Sequence, residues 1–191
     1  MKDILLNNIS KSFDEKIVLQ NFSLMLPAGK RTCIMGPSGC GKTTLINILC
    51  GFVQPDAGRV ENRPARISMV FQENRLCEDF SALENVRMVA LDQTQRAKEL
   101  LCRMGLEEDM LKPVSTLSGG MKRRVSIARA LLFDAPLIVM DEPFKGLDED
   151  TKDNVIQTVL TETEGKTVLF ITHDEAEAQR FADTVITMKP L

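Results

Sequence analysis

Tryptophan and tyrosine are absent from this 191-residue chain, and histidine occurs once. Aromatic contact with a ligand must therefore come from one of nine phenylalanines or from His173. No apolar run approaches the ~18 residues that a membrane-spanning helix needs. The opening stretch, Met1 to Asn8, is too short in apolar residues for a secretion signal. The expected location is the cytosol, unless a partner holds the chain at a membrane. An excess of basic charge is missing too. The formal net charge is −3, which argues against a dedicated nucleic-acid binder. Five cysteines, at positions 33, 40, 50, 77 and 102, form no CxxC pair and are odd in number. That excludes a disulfide framework or a zinc site and points to reduced thiols.

What is present is a change of period along the chain. Short apolar or alternating runs at Ile4–Ile9, Phe22–Leu26, Thr32–Met35 and Ile67–Phe71 predict strands, separated by turn chemistry such as Asp14-Glu15-Lys16 and Pro27-Ala28-Gly29. Between Leu83 and Met104 apolar residues recur at helical spacing: Leu83, Val86, Val89 and Ala90, then Ala97, Leu100, Leu101 and Met104. The last third alternates again, with strands at 137–140, 167–171 and 184–188 and helices at 149–160 and 175–181. Fully apolar strands alternating with helices predict an α/β fold built on a mostly parallel, covered sheet. The expectation is one domain over residues 1–191, with an antiparallel β lobe at its N-terminus and a short inserted helical subdomain at about 73–117.

Gly36-Pro37-Ser38-Gly39-Cys40-Gly41-Lys42-Thr43 matches G-x-x-x-x-G-K-[ST] at every fixed position, after the strand Thr32–Met35 and before the helical run Thr44–Cys50. A chance match in a chain of this length is on the order of one per cent. Such a loop turns backbone N–H groups around phosphate oxygens at a helix N-terminus. Lys42 is placed to neutralise the β- and γ-phosphates, and the Thr43 hydroxyl to ligate Mg²⁺. The expected nucleotide contacts are Gly36, Ser38, Gly39, Cys40, Gly41, Lys42, Thr43 and Thr44. Downstream, Leu137-Ile138-Val139-Met140 runs into Asp141-Glu142-Pro143. Successive strand residues face opposite ways, so Asp141 suits the Mg²⁺ shell while Glu142 polarises the attacking water as general base.

Leu117-Ser118-Gly119-Gly120-Met121-Lys122-Arg123-Arg124 resembles the signature motif of ATP-binding-cassette (ABC) ATPases. Further parts of that pattern follow in order. Gln72 resembles the glutamine of the Q-loop, Gly146-Leu147-Asp148 resembles the D-loop, and His173 matches the switch histidine. Phe13 falls where the family places an aromatic that stacks on adenine. The resemblance covers essentially the whole chain. It implies a phosphate-loop NTPase core, ATP and Mg²⁺ as ligands, and a homodimer in the ATP-bound state. In that dimer Ser118, Gly119 and Gly120 reach the γ-phosphate held by the other copy. It implies catalytic roles for Glu142, His173, Lys42 and Gln72, with Thr43, Gln72 and Asp141 around the metal. It also implies integral-membrane permease subunits as partners, with the chain peripheral on the cytoplasmic face, and no nucleic acid. Phe71-Gln72-Glu73 and Glu84-Asn85-Val86 resemble importers of the nitrate, sulfonate and taurine type.

The departures from the family pattern are local. Met121 stands where glutamine is commoner, and Lys145-Gly146 where Ser-Ala is usual. The stretch from Gln72 to Leu117 is short, so a compact helical lobe and no C-terminal regulatory domain are expected. Leu76 and Phe80, in the loop 73–81, are candidates to accept a coupling helix of the permease. Lys122, Arg123 and Arg124 sit near a helix N-terminus, where the dipole disfavours cations by about 0.3–1 kcal/mol each. A solvated, salt-bridged face is one explanation; the other is a phosphate or acidic partner surface that offsets the cost. Cys40, beside Lys42 and a helix N-terminus, is expected to be a reactive thiol that ATP protects. A soluble cassette acting on DNA or the ribosome would be expected to carry coiled-coil insertions or tandem cassettes. An intact Lys42, Asp141, Glu142 and His173 argue against a non-hydrolysing module, and a metabolic kinase would not account for Ser118-Gly119-Gly120.

Overall fold

The computed structural model describes residues 2–191; Met1, the first residue of the N-terminal stretch read above, lies outside them. The described chain divides into two compact units. One holds residues 2–67, 136–141 and 165–191, and the other holds residues 68–135 and 142–164.

The first unit contains two sheets. Strands β1 (Ile4–Phe13), β2 (Lys16–Leu26) and β4 (Ala57–Glu61) form an antiparallel sheet in the order β2-β1-β4. β1 and β2 are longer than their alternating cores suggest, because the hairpin slips register three times between Leu6 and Ser12. Asn8 (φ 52°) and Asn21 (φ 48°) absorb these irregularities in the left-handed region, where asparagine is tolerated. The Ser23 and Ser10 hydroxyls accept from the Asn8 and Asn21 amides. β4 escapes a pattern search because Ala57-Gly58-Arg59-Val60-Glu61 carries one branched apolar residue and lies on an edge.

The other sheet of this unit runs β6-β7-β3-β8, with β3 (Arg31–Met35), β6 (Leu137–Asp141), β7 (Thr167–Ile171) and β8 (Thr184–Thr187), every pair parallel. Every residue of β6 and β7 is buried, as expected of a parallel sheet covered on both faces. Helix α1 (Lys42–Cys50) follows β3, and α6 (Glu175–Phe181) links β7 to β8. Phe181 of α6 meets Phe170 of β7 edge to face, ring centroids 4.7 Å apart, which fixes the turn between them.

The second unit contains β5 (Ile67–Val70) from Ser68 onward and the helices α2 (Ala82–Arg87), α3 (Thr94–Arg103), α4 (Gly119–Leu132) and α5 (Glu149–Glu162). The apolar residues at helical spacing between 83 and 104 form two helices rather than one run, and Val89 and Ala90 lie in the link. α2 starts at a capping box, with Ser81 Oγ accepting from the Glu84 amide and the Glu84 carboxylate accepting from the Ser81 amide. The bond from Ser81, first its hydroxyl and then its amide, lowers the Glu84 pKa. Ala97, Leu100 and Leu101 of α3 are buried together with Val125, Ile127, Ala128, Leu131 and Leu132 of α4. Each valine, leucine and isoleucine among them contributes roughly 1.5–3 kcal/mol by leaving water. Arg96 and Arg103, two turns apart on α3, both pair with Glu162 at the end of α5. No helix among the described residues is long and apolar enough to cross a membrane.

Candidate functional site

In the first unit, Ile34 of β3, Ile171 of β7 and Asp141 of β6 lie in one row across the parallel sheet. The three segments that follow these strands therefore leave the sheet at its carboxyl edge, where α/β sheets bind ligands. Between β3 and α1 the chain forms the loop 36–41. Its close approaches need glycine at two places. A Cβ on Gly36 (φ 149°) would lie 2.5 Å from the Met188 carbonyl oxygen, and one on Gly41 (φ 97°) 2.9 Å from the Val18 carbonyl oxygen. Gly41 also caps α1 and, as a glycine, offers no side chain of its own to the first amides of that helix. The Lys42 ammonium curls back over the loop and donates to the carbonyls of Gly36 (2.8 Å) and Pro37 (2.9 Å). Ser38, Gly39 and Thr43 are exposed and Thr44 is half-buried.

Asp141 ends β6, a strand otherwise wholly apolar, and is 5% exposed. His173 follows β7 on a turn that is fixed from both sides. The Thr172 hydroxyl donates to the buried Glu177 carboxylate, and the Asp174 carboxylate caps α6 by accepting from the amides of Ala176 (2.8 Å) and Glu177 (3.2 Å). His173 itself is exposed. Phe13, at the tip of the β1–β2 hairpin, is 46% exposed with Lys11 Nζ 5.4 Å from its ring centre. It is no part of the hairpin core.

In the second unit, Ser118 caps α4 by accepting from the Met121 amide. Ser118 and Gly119 are exposed and Gly120 is half-buried, a Cβ there lying 3.3 Å from the Gly146 carbonyl oxygen. The signature segment and the loop 146–148 are thus neighbours. Asp148 caps α5, and the hydrogen bond from the Thr151 amide holds its carboxyl below the usual range. Glu142 has φ 47°, unusual for a residue with a Cβ, and its carboxylate pairs with Lys145 Nζ at 2.7 Å. Gln72 is exposed on the segment after β5.

The profile of ABC transporter domains matches residues 19–145. The chain belongs to the ABC transporter family. It is 38% identical to the taurine import ATP-binding protein TauB of Roseobacter denitrificans, over all of this chain and 79% of that protein. It is 35% identical to the spermidine/putrescine import ATP-binding protein PotA of Fusobacterium nucleatum subsp. nucleatum, over 98% of this chain, but spans only 55% of that relative's length. The fold also matches the ATP-binding cassette MJ0796, solved as a dimer in a post-hydrolysis state with ADP and Pi. The TM-score is 0.87 at 32% identity, over 97% of this chain and 94% of that one. This chain is an ATPase cassette with the α/β fold of that family.

Within this ABC cassette two expectations are refined. Lys122, Arg123 and Arg124 are each engaged within their own unit, Lys122 in the surface ion pair of a salt-bridged face and the two arginines on backbone carbonyls. Lys122 pairs with Glu78 at 2.9 Å. Arg124 donates to the carbonyls of Met104 (2.7 Å) and Gly105 (3.1 Å), capping the C-terminal end of α3, where a cation is favoured. Arg123 is buried and turns inward. Second, Cys40 is only 5% exposed, with its Sγ 3.8 Å from Lys42 Nζ. The fold that brings the cation close also closes the thiol to reagents. Burial pushes the Cys33 and Cys50 thiols up to about 12 and about 11. The loop 73–81 is held from within its own unit. Asn85, fully buried on α2, accepts from the Cys77 amide (2.8 Å) and donates to the carbonyls of Cys77, Phe80 and Ser81. A polar residue inside the apolar stripe Leu83–Val86 was the one sequence signal of this role. Phe80 is left 49% exposed and Leu76 half-buried on the loop so held.

Proposed function

We propose that this ATPase cassette drives a membrane importer by closing as a head-to-tail homodimer on two ATP molecules, each held by both copies. One observation carries the reading: the same chain bears a phosphate loop and, on α4, a glycine-rich helix start exposed to an incoming anion.

Gly36, Ser38, Gly39, Cys40, Gly41, Thr43 and Thr44 wrap the phosphates through their backbone amides. Lys42 leaves the Gly36 and Pro37 carbonyls for the β- and γ-phosphate oxygens. Phe13 offers its half-exposed face to adenine. Ser118, Gly119 and Gly120 approach the γ-phosphate of the other copy's ATP. Thr43 hydroxyl, Asp141 carboxylate and Gln72 amide oxygen are hard oxygen donors of the type Mg²⁺ selects. Bound there, the ion would neutralise charge on the β- and γ-phosphate oxygens. Glu142 takes a proton from water as the water oxygen bonds to the γ-phosphorus. The bond to the β–γ bridging oxygen breaks, and its electron pair leaves with ADP. His173 hydrogen-bonds the departing γ-phosphoryl oxygens, and release of phosphate reopens the dimer.

Ser118→Arg tests the shared site. The expected result is ATP affinity within about threefold of the parent, with the ATP-dependent dimer absent by light scattering; a dimer that persists would overturn the reading. The cap lost with Ser118 costs about 1 kcal/mol, too little to unfold the unit.

The partner is a permease that seats a helix on Leu76 and Phe80, which places the cassette on the cytoplasmic face of a membrane. Leu76→Asp and Phe80→Asp are expected to abolish transport and permease-stimulated turnover while ATP still binds. Loss of ATP binding in the folded variants would count against docking there.

A further inference from the structure

Arg123 has no part in the scheme above, yet it is the most heavily bonded side chain of α4. It is 3% exposed. Its guanidinium spans two segments that chemistry requires to be in register. Nε donates to the Pro143 carbonyl at 2.9 Å and Nη2 to the Glu142 carbonyl. Nη1 donates to the carbonyls of Phe71 and Gln72 and, at 3.4 Å, to Asn74 Oδ1. A second arginine of α4 repeats the grip on one side, Arg129 Nη2 donating to the Asn74 carbonyl at 3.2 Å. Burial lowers the Arg129 pKa.

We propose that Arg123 is a positioning residue, tying the backbone of Glu142 to the segment 71–74 so that a partner seated on the adjoining loop is felt at the general base. The inference rests on the reading of Glu142 as that base and of the loop 73–81 as the docking surface. Two features support it. First, Glu142 holds a left-handed backbone, φ 47°. Strained conformations of that kind persist where their surroundings over-determine them, and they cluster at functional sites. The Arg123 bonds to the Glu142 and Pro143 carbonyls do this from one side. The Lys145 amide (3.3 Å to the Glu142 carbonyl) and the Lys145 ammonium (on its carboxylate) do it from the other. Second, joining two loops does not need a buried cation, whose desolvation is costly. It does need donors pointing in several fixed directions at once, which only the planar guanidinium fork supplies. A lysine, with one nitrogen, cannot span both segments.

The test is kinetic and uses the full chain with MgATP, comparing Arg123→Met and Arg123→Lys, each alone and combined with Glu142→Gln. Arg123→Met is expected to lower kcat at least 30-fold with the Kd of a fluorescent ATP analogue within threefold. Arg123→Lys, which keeps the charge and one donor, should recover part of that loss. Because both residues act on one step, the Arg123→Met/Glu142→Gln protein should turn over within about twofold of Glu142→Gln alone. A kcat that falls only with the folded fraction, or a double variant losing the full product of the two factors, would overturn the proposal. If the Met variant does not fold, Arg123→Lys decides. A folded Lys variant with parental kcat overturns the proposal, and one with reduced kcat at parental Kd supports it. Should Glu142→Gln by itself keep its turnover, the assignment of the base fails instead, and that outcome reads separately from Arg123.

Discussion

Glu142→Gln is expected to bind ATP and scarcely hydrolyse it. Glutamine keeps the shape and the acceptor oxygen of the carboxylate but cannot take a proton from water, and a positioned base contributes typically 10²–10⁴-fold. Turnover should fall by about that factor. The cost to the fold is small. Glu142 pairs with Lys145, whose side chain is 66% exposed, and such a pair contributes no more than about 1 kcal/mol. Melting temperature and ATP affinity should therefore stay near the parent values while phosphate release in a single-turnover assay slows. With hydrolysis blocked, the ATP-bound dimer should accumulate and be visible by light scattering. Unchanged turnover would remove Glu142 from the chemistry and place the base elsewhere.

The second large effect is expected at Lys42. The residue is only 7% exposed and its ammonium sits on two loop carbonyls, so it is already positioned when ATP arrives. Its transfer to the phosphates exchanges two charge-assisted hydrogen bonds for others with a fully charged acceptor. Hydrogen bonds to charged groups contribute about 1.5–3 kcal/mol each. Lys42→Met fills similar space without the charge, and losing one to two such bonds should weaken ATP binding roughly 30- to 1,000-fold, at tenfold per 1.4 kcal/mol. Thermal stability provides the readout. At an ATP concentration 100 times its Kd, the parent gains about 2.7 kcal/mol, or roughly 5–10 °C for a chain of this size. At the same concentration the variant should gain about 3 °C or less. A full thermal shift in Lys42→Met would mean that the loop amides hold the phosphates without the lysine.

The legibility of this protein follows the range of the forces involved. The loop 36–43, the acidic strand end 141–142 and the Ser118 helix start are contiguous in sequence. Their geometry depends on local rules, such as glycine where φ is positive, a hydroxyl at a helix cap, and carboxylates ending an apolar strand. The parallel strands were legible for the same reason, since a strand covered on both faces must be apolar throughout. The bulged hairpin was legible only in part, because Asn8 and Asn21 interrupt the alternation where the register slips. β4 gave no signal, because an edge strand closed by pairing alone needs little apolar content.

From the sequence alone, then, came the motifs: the glycine-rich loop 36–43, the acidic strand end 141–142, Ser118-Gly119-Gly120 and His173, whose pattern resembles that of ABC ATPases. Only the tertiary structure decided how the remaining charges and thiols are used. Lys122 went to Glu78, Arg124 to the end of α3, and Arg123 to the backbone of two distant segments, while Cys40 closed under its own loop. The physical reason is one of distance. A catalytic motif carries its meaning within a few residues. A buried cation takes its meaning from carbonyls some 20 to 50 positions away, and no local pattern announces which ones the fold will bring to it.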